Sequence, residues 1–229
     1  MLRLLMFLAV LLYATIPIAT ADQYWVAWEG NDFPENEGWQ RIVNGPQPAE
    51  RTLADGIMTM DGLADRQIDD YYRMERPLDP EPGETFVMQW RLRVQQVVAS
   101  PLYPFDPGLS LFSDEDWALA FHLGVDQVSL FHEDIRIPYV PEAFHTFDVR
   151  SADMRTYQLS IDGVHAHSGV FWEPTFRSSR IEWGDYARGA ASRAEWDYFR
   201  FGVVPEPRSG TLLVALLVVA CASTTRRIS

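Results

Sequence analysis

Residues 86–95 read Phe-Val-Met-Gln-Trp-Arg-Leu-Arg-Val-Gln, and this stretch decides the fold. Phe86, Met88, Trp90, Leu92 and Val94 fall on one side, and Gln89, Arg91, Arg93 and Gln95 on the other. A side-chain period of two belongs to a strand with one apolar and one wet face. The pattern recurs at Leu119, Phe121, Leu123 and Val125, and again at Val128, Leu130 and His132. Tyr157, Leu159 and Ile161 lead into Asp162-Gly163, then Val164, His165 and Ala166. Asp-Gly between alternating runs marks a two-residue hairpin, because both central residues must adopt positive φ. Residues 180–183 and 196–203 read as two closing strands. Turn residues recur at Asp61-Gly62, Pro80–Gly83, Pro104–Gly108, Pro138–Pro141 and Gly184-Asp185, and no segment between residues 22 and 203 keeps a helical period over two turns. The expected fold is an all-β antiparallel β-sandwich.

The two ends carry a different kind of signal. Arg3, the apolar run Leu4–Tyr13 and the small residues of Ala19-Thr20-Ala21 have the order of a cleaved secretory signal, which predicts a signal peptide over 1–21 and a signal peptidase as partner. Residues 204–229 read VPEPRSGTLLVALLVVACASTTRRIS: Pro205, Glu206 and Pro207, an apolar run at 212–222, then Arg226 and Arg227. Eleven apolar residues span a bilayer only marginally, and the Arg pair would stay on the cytoplasmic side. The sandwich, 22–203, is thus expected between a signal helix and a C-terminal apolar helix. Pro205 and Pro207 are expected to keep the preceding stretch out of helix and sheet. That tail resembles the PEP-CTERM sorting domain of Gram-negative bacteria. The resemblance implies recognition by an exosortase-type membrane protease, cleavage near Pro205-Glu206-Pro207, and delivery to the cell surface or extracellular matrix through a transient membrane anchor. Its basic cluster is sparser than the family's, and an ordinary tail anchor is the alternative.

Composition narrows the partners. The 229 residues carry a net charge of −13, with 19 arginines, no lysine and 32 acids. Arg3, Arg208, Arg226, Arg227 and Glu206 belong to the ends, which leaves 15 arginines against 31 acids in the sandwich. Such acidity argues against nucleic acid as a partner and allows divalent cations and neutral polymers. Cys221, the single cysteine, lies in the apolar tail, so the sandwich holds together without disulfides.

The second half carries a further resemblance. Phe144-His145-Thr146-Phe147-Asp148-Val149 is followed by the 157–164 hairpin, then by Ile181-Glu182-Trp183-Gly184-Asp185 and Ala194-Glu195-Trp196-Asp197-Tyr198-Phe199-Arg200-Phe201. This order is similar to the concanavalin A-like lectin/glucanase jelly roll in its laminin-G-like form. The resemblance implies two curved sheets, calcium at one rim and sugar contacts on one face; the possible partner is a polysaccharide. Laminarinase-type enzymes of this fold carry E-x-D-x-x-E. Glu195 and Asp197 are two apart and would share a face, but Arg200 stands third and cannot donate a proton to a leaving group. The domain is therefore expected not to be an enzyme. A laminarinase-type hydrolase and a purely structural surface component are the alternatives.

Tyr71, Tyr72, Trp117 and Trp172 are the candidate sugar contacts, sitting near loops or strand ends. Calcium, the one cofactor considered, would need several oxygen ligands. Asp69-Asp70, Asp114-Glu115-Asp116 and His132-Glu133-Asp134 are the candidates. His165 and His167 are expected on one polar face, paired with Ser160 and Gln158, without a third metal ligand. His132 is expected beside Val128 and Leu130 as a core or rim histidine, and His122 on the opposite face. No nucleophile elbow, P-loop, dinucleotide fingerprint or HExxH motif occurs.

Overall fold

The computed structural model describes residues 26–64, 69–99, 106–114, 117–173, 178–186 and 189–205. The signal-peptide stretch and Glu206, Pro207, Arg226 and Arg227 of the sorting motif lie outside them.

Fifteen strands form among the described residues: β1 (Val26–Trp28), β2 (Gln40–Asn44), β3 (Glu50–Ala54), β4 (Ile57–Asp61), β5 (Asp69–Glu75), β6 (Glu84–Val98), β7 (Gly108–Phe112), β8 (Ala118–Leu123), β9 (Gln127–Leu130), β10 (Ile135–Pro138), β11 (His145–Ser151), β12 (Thr156–Ile161), β13 (Val164–Val170), β14 (Arg180–Asp185) and β15 (Ala191–Pro205). They make two antiparallel sheets. Sheet I runs β13-β12-β11-β6-β15-β4-β3, with β1 also paired to β15, and sheet II runs β10-β9-β8-β7-β14-β5-β2. The only helical element described is a single 3-10 turn over Pro34–Glu37. This is the expected all-β sandwich, with late strands inserted between early ones in both sheets.

Alternation explains the core. Phe86, Met88, Trp90, Leu92 and Val94 of β6 all point between the sheets and are buried. They meet Leu109, Leu111, Phe121 and Trp183 from sheet II, with Trp28, Trp39, Trp196, Phe199 and Phe201 filling the rest. Trp183 is the hub: its ring centroid lies 4.7 Å from Trp196, 4.8 Å from Tyr72 and 5.2 Å from Phe199, the last stacked. Aromatic pairs at such distances add ~0.5–1.5 kcal/mol beyond the area they bury.

Two bulges decide facing where simple alternation fails. In β15, pairing with β6 shifts between Trp196 and Tyr198, which leaves Asp197 as the extra residue. Ala194 and Trp196 point inward before it, Phe199 and Phe201 after it. Without the bulge one of these pairs would face water, since a one-residue slip reverses every side chain. In β13 the register shifts opposite Leu159 and Ser160. Ser160 pairs with His165 as expected, but His167 faces Leu159, not Gln158, so the two histidines part onto opposite faces.

Further expectations are corrected here. β8 ends at Leu123, and Val125 lies in the following turn, 36% exposed. β9 ends at Leu130, so His132 is no core residue; it sits exposed in the next turn. β15 runs on through Val204 and Pro205, paired with Thr85 and Glu84, so Pro205 does not stop the sheet. Proline is tolerated there because it is the terminal ladder position.

Candidate functional site

The outer face of sheet II carries the chemistry. Register places side chains in rows across the strands. One row is Arg73, Glu182, Ser110 and Ala120, from β5, β14, β7 and β8. The next is Tyr71, Gly184, Gly108 and His122. Two glycines in the second row keep the floor low. Gly184 sits at φ +140°, and a Cβ there would lie 2.8 Å from the Asp70 carbonyl oxygen, so another residue would strain the sheet.

Over this floor lies an open trough of about 430 Å³. Tyr71 and Tyr186 form one wall, packed edge to face at 5.1 Å. Phe131, His132 and Trp172 form the other. His132 stacks on the Trp172 ring with centroids 3.3 Å apart. Trp172 is fixed by a strand-like bridge in which its N–H and carbonyl exchange hydrogen bonds with Ala118 at 3.0 and 2.9 Å. Phe131 is 47% exposed, an unusual state for such a ring unless it offers a contact surface. Burial lowers the pKa of His132, which favours the neutral imidazole.

Glu182 organises the floor while being only 1% exposed. Its Oε1 accepts from Arg73 Nε at 2.7 Å and Arg180 Nε at 2.8 Å. Its Oε2 accepts from the Tyr186 hydroxyl at 2.6 Å, with Ser110 Oγ 3.3 Å away. A buried carboxylate needs this many partners to persist as a charge. The Tyr186 phenol is held well above its ordinary pKa, by burial first and then by Glu182, so it stays a donor. Arg180 also lies 4.3 Å over the Phe112 ring.

Sequence expectation and structure agree only in part on the sugar contacts. Tyr71 and Trp172 both line the trough, on facing walls. Tyr72 does not: it alternates inward, is fully buried and packs on Trp183. Trp117 packs partly into the core with the Arg155 guanidinium 5.6 Å over its ring, away from the trough. Tyr186, Phe131, His132 and Glu182 were missed. The available signal was the alternation Arg180-Ile181-Glu182-Trp183, which puts a charged pair on the face opposite two apolar residues.

The proposed acid sites resolve differently. Glu195 binds Arg93 and Asp197 binds Arg91 on the outer face of sheet I, remote from the trough. Asp70 is fully buried and taken up by Arg41 and the Ala49 N–H, both at 2.8 Å, so its oxygens are committed within the protein. Glu133 accepts from Tyr157 at 2.7 Å and engages His167 at 2.8 Å, which also explains what His167 does. Glu115 and Asp116 lie outside the described residues. Among the described residues no three histidine, cysteine or acidic side chains converge to hold a metal.

A larger hollow of about 610 Å³ lies on sheet I, lined by Thr85, Arg150, Gln158, Ser168 and Val204 among others. Among the described residues that line it Tyr157 is the only aromatic ring, and that hydroxyl is already bound to Glu133. The smaller trough is the better candidate because its aromatic faces converge over a polar floor.

Compared with known proteins, the sequence matches no family model and no curated protein. Solved structures are similar at low identity. A Bacillus licheniformis beta-glucanase is 12% identical, covers 77% of this chain and 97% of its own, with a TM-score of 0.47. A beta-agarase A in complex with oligoagarose is 10% identical, covering 79% and 93%, with a TM-score of 0.46. The binding domain of botulinum neurotoxin DC is 11% identical, covering 80% and 47%, with a TM-score of 0.43. Two of the three are enzymes by name; at 10–12% identity the likeness is one of fold, so the expectation that the domain is not an enzyme does not stand, and no activity is assigned by the comparison. The missing third acid after Asp197 excluded one arrangement of carboxylates on one strand, not catalysis by a sandwich of this kind.

Proposed function

We propose that the sandwich recognises carbohydrate in the sheet II trough and is carried by an exported surface protein. One observation carries the binding reading: Tyr71 and Tyr186 face Phe131, His132 and Trp172 across a floor that offers Ser110 and His122. Aromatic rings stack on the apolar faces of pyranoses while hydroxyl and imidazole groups meet the sugar's edges. Ion pairing at Glu182 holds the floor rigid, so little ordering is left for the moment of binding. The acidic surface favours a neutral polysaccharide over an anionic one.

Export and sorting rest on the sequence features of the two ends and on a signal peptidase and an exosortase-type protease as partners. A chain cut after Val203 is expected in the medium without further trimming; unchanged cell-surface retention and mass would remove the tail from the account. Binding is tested with purified residues 22–205 on a glycan array, with and without EDTA. Spots that vanish on Trp172→Ala support the trough, and a blank array sinks it. Loss of spots in EDTA would reveal a calcium requirement. Reducing ends measured on the same polysaccharides separate a trough that holds glycan from one that also cleaves it.

A further inference from the structure

We propose that Glu133 is a positioning residue whose hydrogen bonds clamp the two halves of the trough's aromatic wall together across the edge of the sandwich. The halves come from different sheets. Phe131 and His132 sit on the turn between β9 and β10, at the end of sheet II. Trp172 stands two residues beyond β13, the end strand of sheet I, and crosses over to pair with Ala118 of β8. The 3.3 Å stack of His132 on Trp172 therefore joins two separately rooted pieces of chain. Glu133, next to His132, reaches to sheet I at this same edge. Its Oε1 accepts from the Tyr157 hydroxyl at 2.7 Å and from the Val170 N–H at 3.3 Å. Its Oε2 lies 2.8 Å from His167 Nε2.

The end strands build a seat for this carboxylate. Gly169 pairs with Tyr157, and a Cβ there would lie 2.2 Å from Glu133 Oε1 and 2.7 Å from the Tyr157 hydroxyl, so glycine leaves the space. The bulge in β13 brings His167 opposite Leu159, on the face it shares with Gly169 and Tyr157. Burial first, and then Glu133, push the Tyr157 phenol well above its ordinary pKa, so it stays a donor. An ionised carboxylate only accepts, so His167 Nε2 carries a proton toward it. The side chains of Glu133 and His167 are each less than a fifth exposed, which shields these bonds from competing water. Glu133 does not itself line the trough and acts through its neighbours. The clamp stands on this geometry, and only its consequence for glycan rests on the carbohydrate reading.

The first test needs no ligand. An indole face shifts protons held over it upfield, so the ring C–H signals of His132 report the stack directly by NMR. They should lie upfield in the native sequence, return to the ordinary histidine position in Glu133→Ala, and stay upfield in Glu133→Gln. Glutamine keeps the clamp because its amide oxygen still accepts from Tyr157 and its amide nitrogen can donate to a bare His167 nitrogen. Gly169→Ala keeps the carboxylate but fills its seat, and should release the signals as Glu133→Ala does. It also carries the test if Glu133→Ala fails to fold. Stability would fall for any lost hydrogen bond, whereas these signals move only if the wall opens. Native-like His132 signals in Glu133→Ala, or in Gly169→Ala where the former does not fold, overturn the proposal, as do Glu133→Gln signals that match those of Glu133→Ala. The second test uses neutral glucan and galactan oligosaccharides of the glycan array as probes. Opening the wall should weaken their binding about tenfold in Glu133→Ala, the worth of one aromatic face, and by no more than about twofold in Glu133→Gln. His132 signals that respond as expected beside a blank array sink the trough reading alone. Unmoved signals with probes bound sink the clamp alone.

Discussion

The outer faces of the two sheets use the same residue types to opposite ends. On sheet I, Arg93 binds Glu195, Arg91 binds Asp197 and Arg150 binds Asp148, across or along strands whose charged tips remain partly in water. On sheet II, Glu182 is withdrawn from water beneath the partly exposed Arg73 and Arg180 and is bound by the Tyr186 hydroxyl. Exposed pairs gain little, because water screens their attraction and holding two long side chains costs entropy. A buried hub is different. Its carboxylate has lost its hydration and depends on the two arginines, so the arrangement is rigid and expensive to break. Sheet I's outer face is a solubilising surface, and sheet II's is a built floor.

The largest effect that could break this contrast is at Glu182. Glu182→Ala should destabilise the domain by about 3–5 kcal/mol, since it leaves Arg73 and Arg180 facing a void in place of their carboxylate. Urea unfolding would show it, and a loss below 1 kcal/mol would mean the floor is no more committed than sheet I. Next comes Trp172→Ala. It should weaken glycan binding about tenfold by calorimetry while shifting stability little, as one aromatic face is worth ~0.5–1.5 kcal/mol. An unchanged affinity would move the binding surface elsewhere. On sheet I, Glu195→Gln should cost about 0.5 kcal/mol, fading in high salt, with glycan binding untouched. A loss as large as that at Glu182 would erase the distinction.

The smallest effect concerns His132, whose pKa burial lowers. A depressed histidine is neutral in the folded state while the unfolded one still takes up a proton. Stability should therefore fall slightly as pH drops through the ordinary histidine range, and His132→Phe should flatten that decline. An identical acid limb in the variant would show that His132 does not titrate against the trough.

How much of this was readable beforehand differs by level. The alternation of 86–94 fixed which side of β6 enters the core, and the Asp162-Gly163 turn appears with both residues at positive φ, 52° and 76°. Those are local facts, and a period of two or a turn's steric demand acts within a few residues. The bulges at Asp197 and in β13 were not readable. Trp196 and Phe199 are three apart and both apolar, and only the facing strand decides that both point inward. Tyr71 and Tyr72 show the same limit, since adjacent tyrosines must face opposite ways and the sequence does not say which one faces water.

By itself, then, the sequence determined the all-β class, the main strands, the absence of disulfides from the sandwich and the features of the two ends. Tertiary structure alone decided the site. Arg73, Ser110, Glu182 and Tyr186 come from three strands and a loop, and meet only because β14 inserts between β5 and β7. Strand formation depends on neighbours along the chain, whereas a buried charge depends on which groups the fold withdraws from water together.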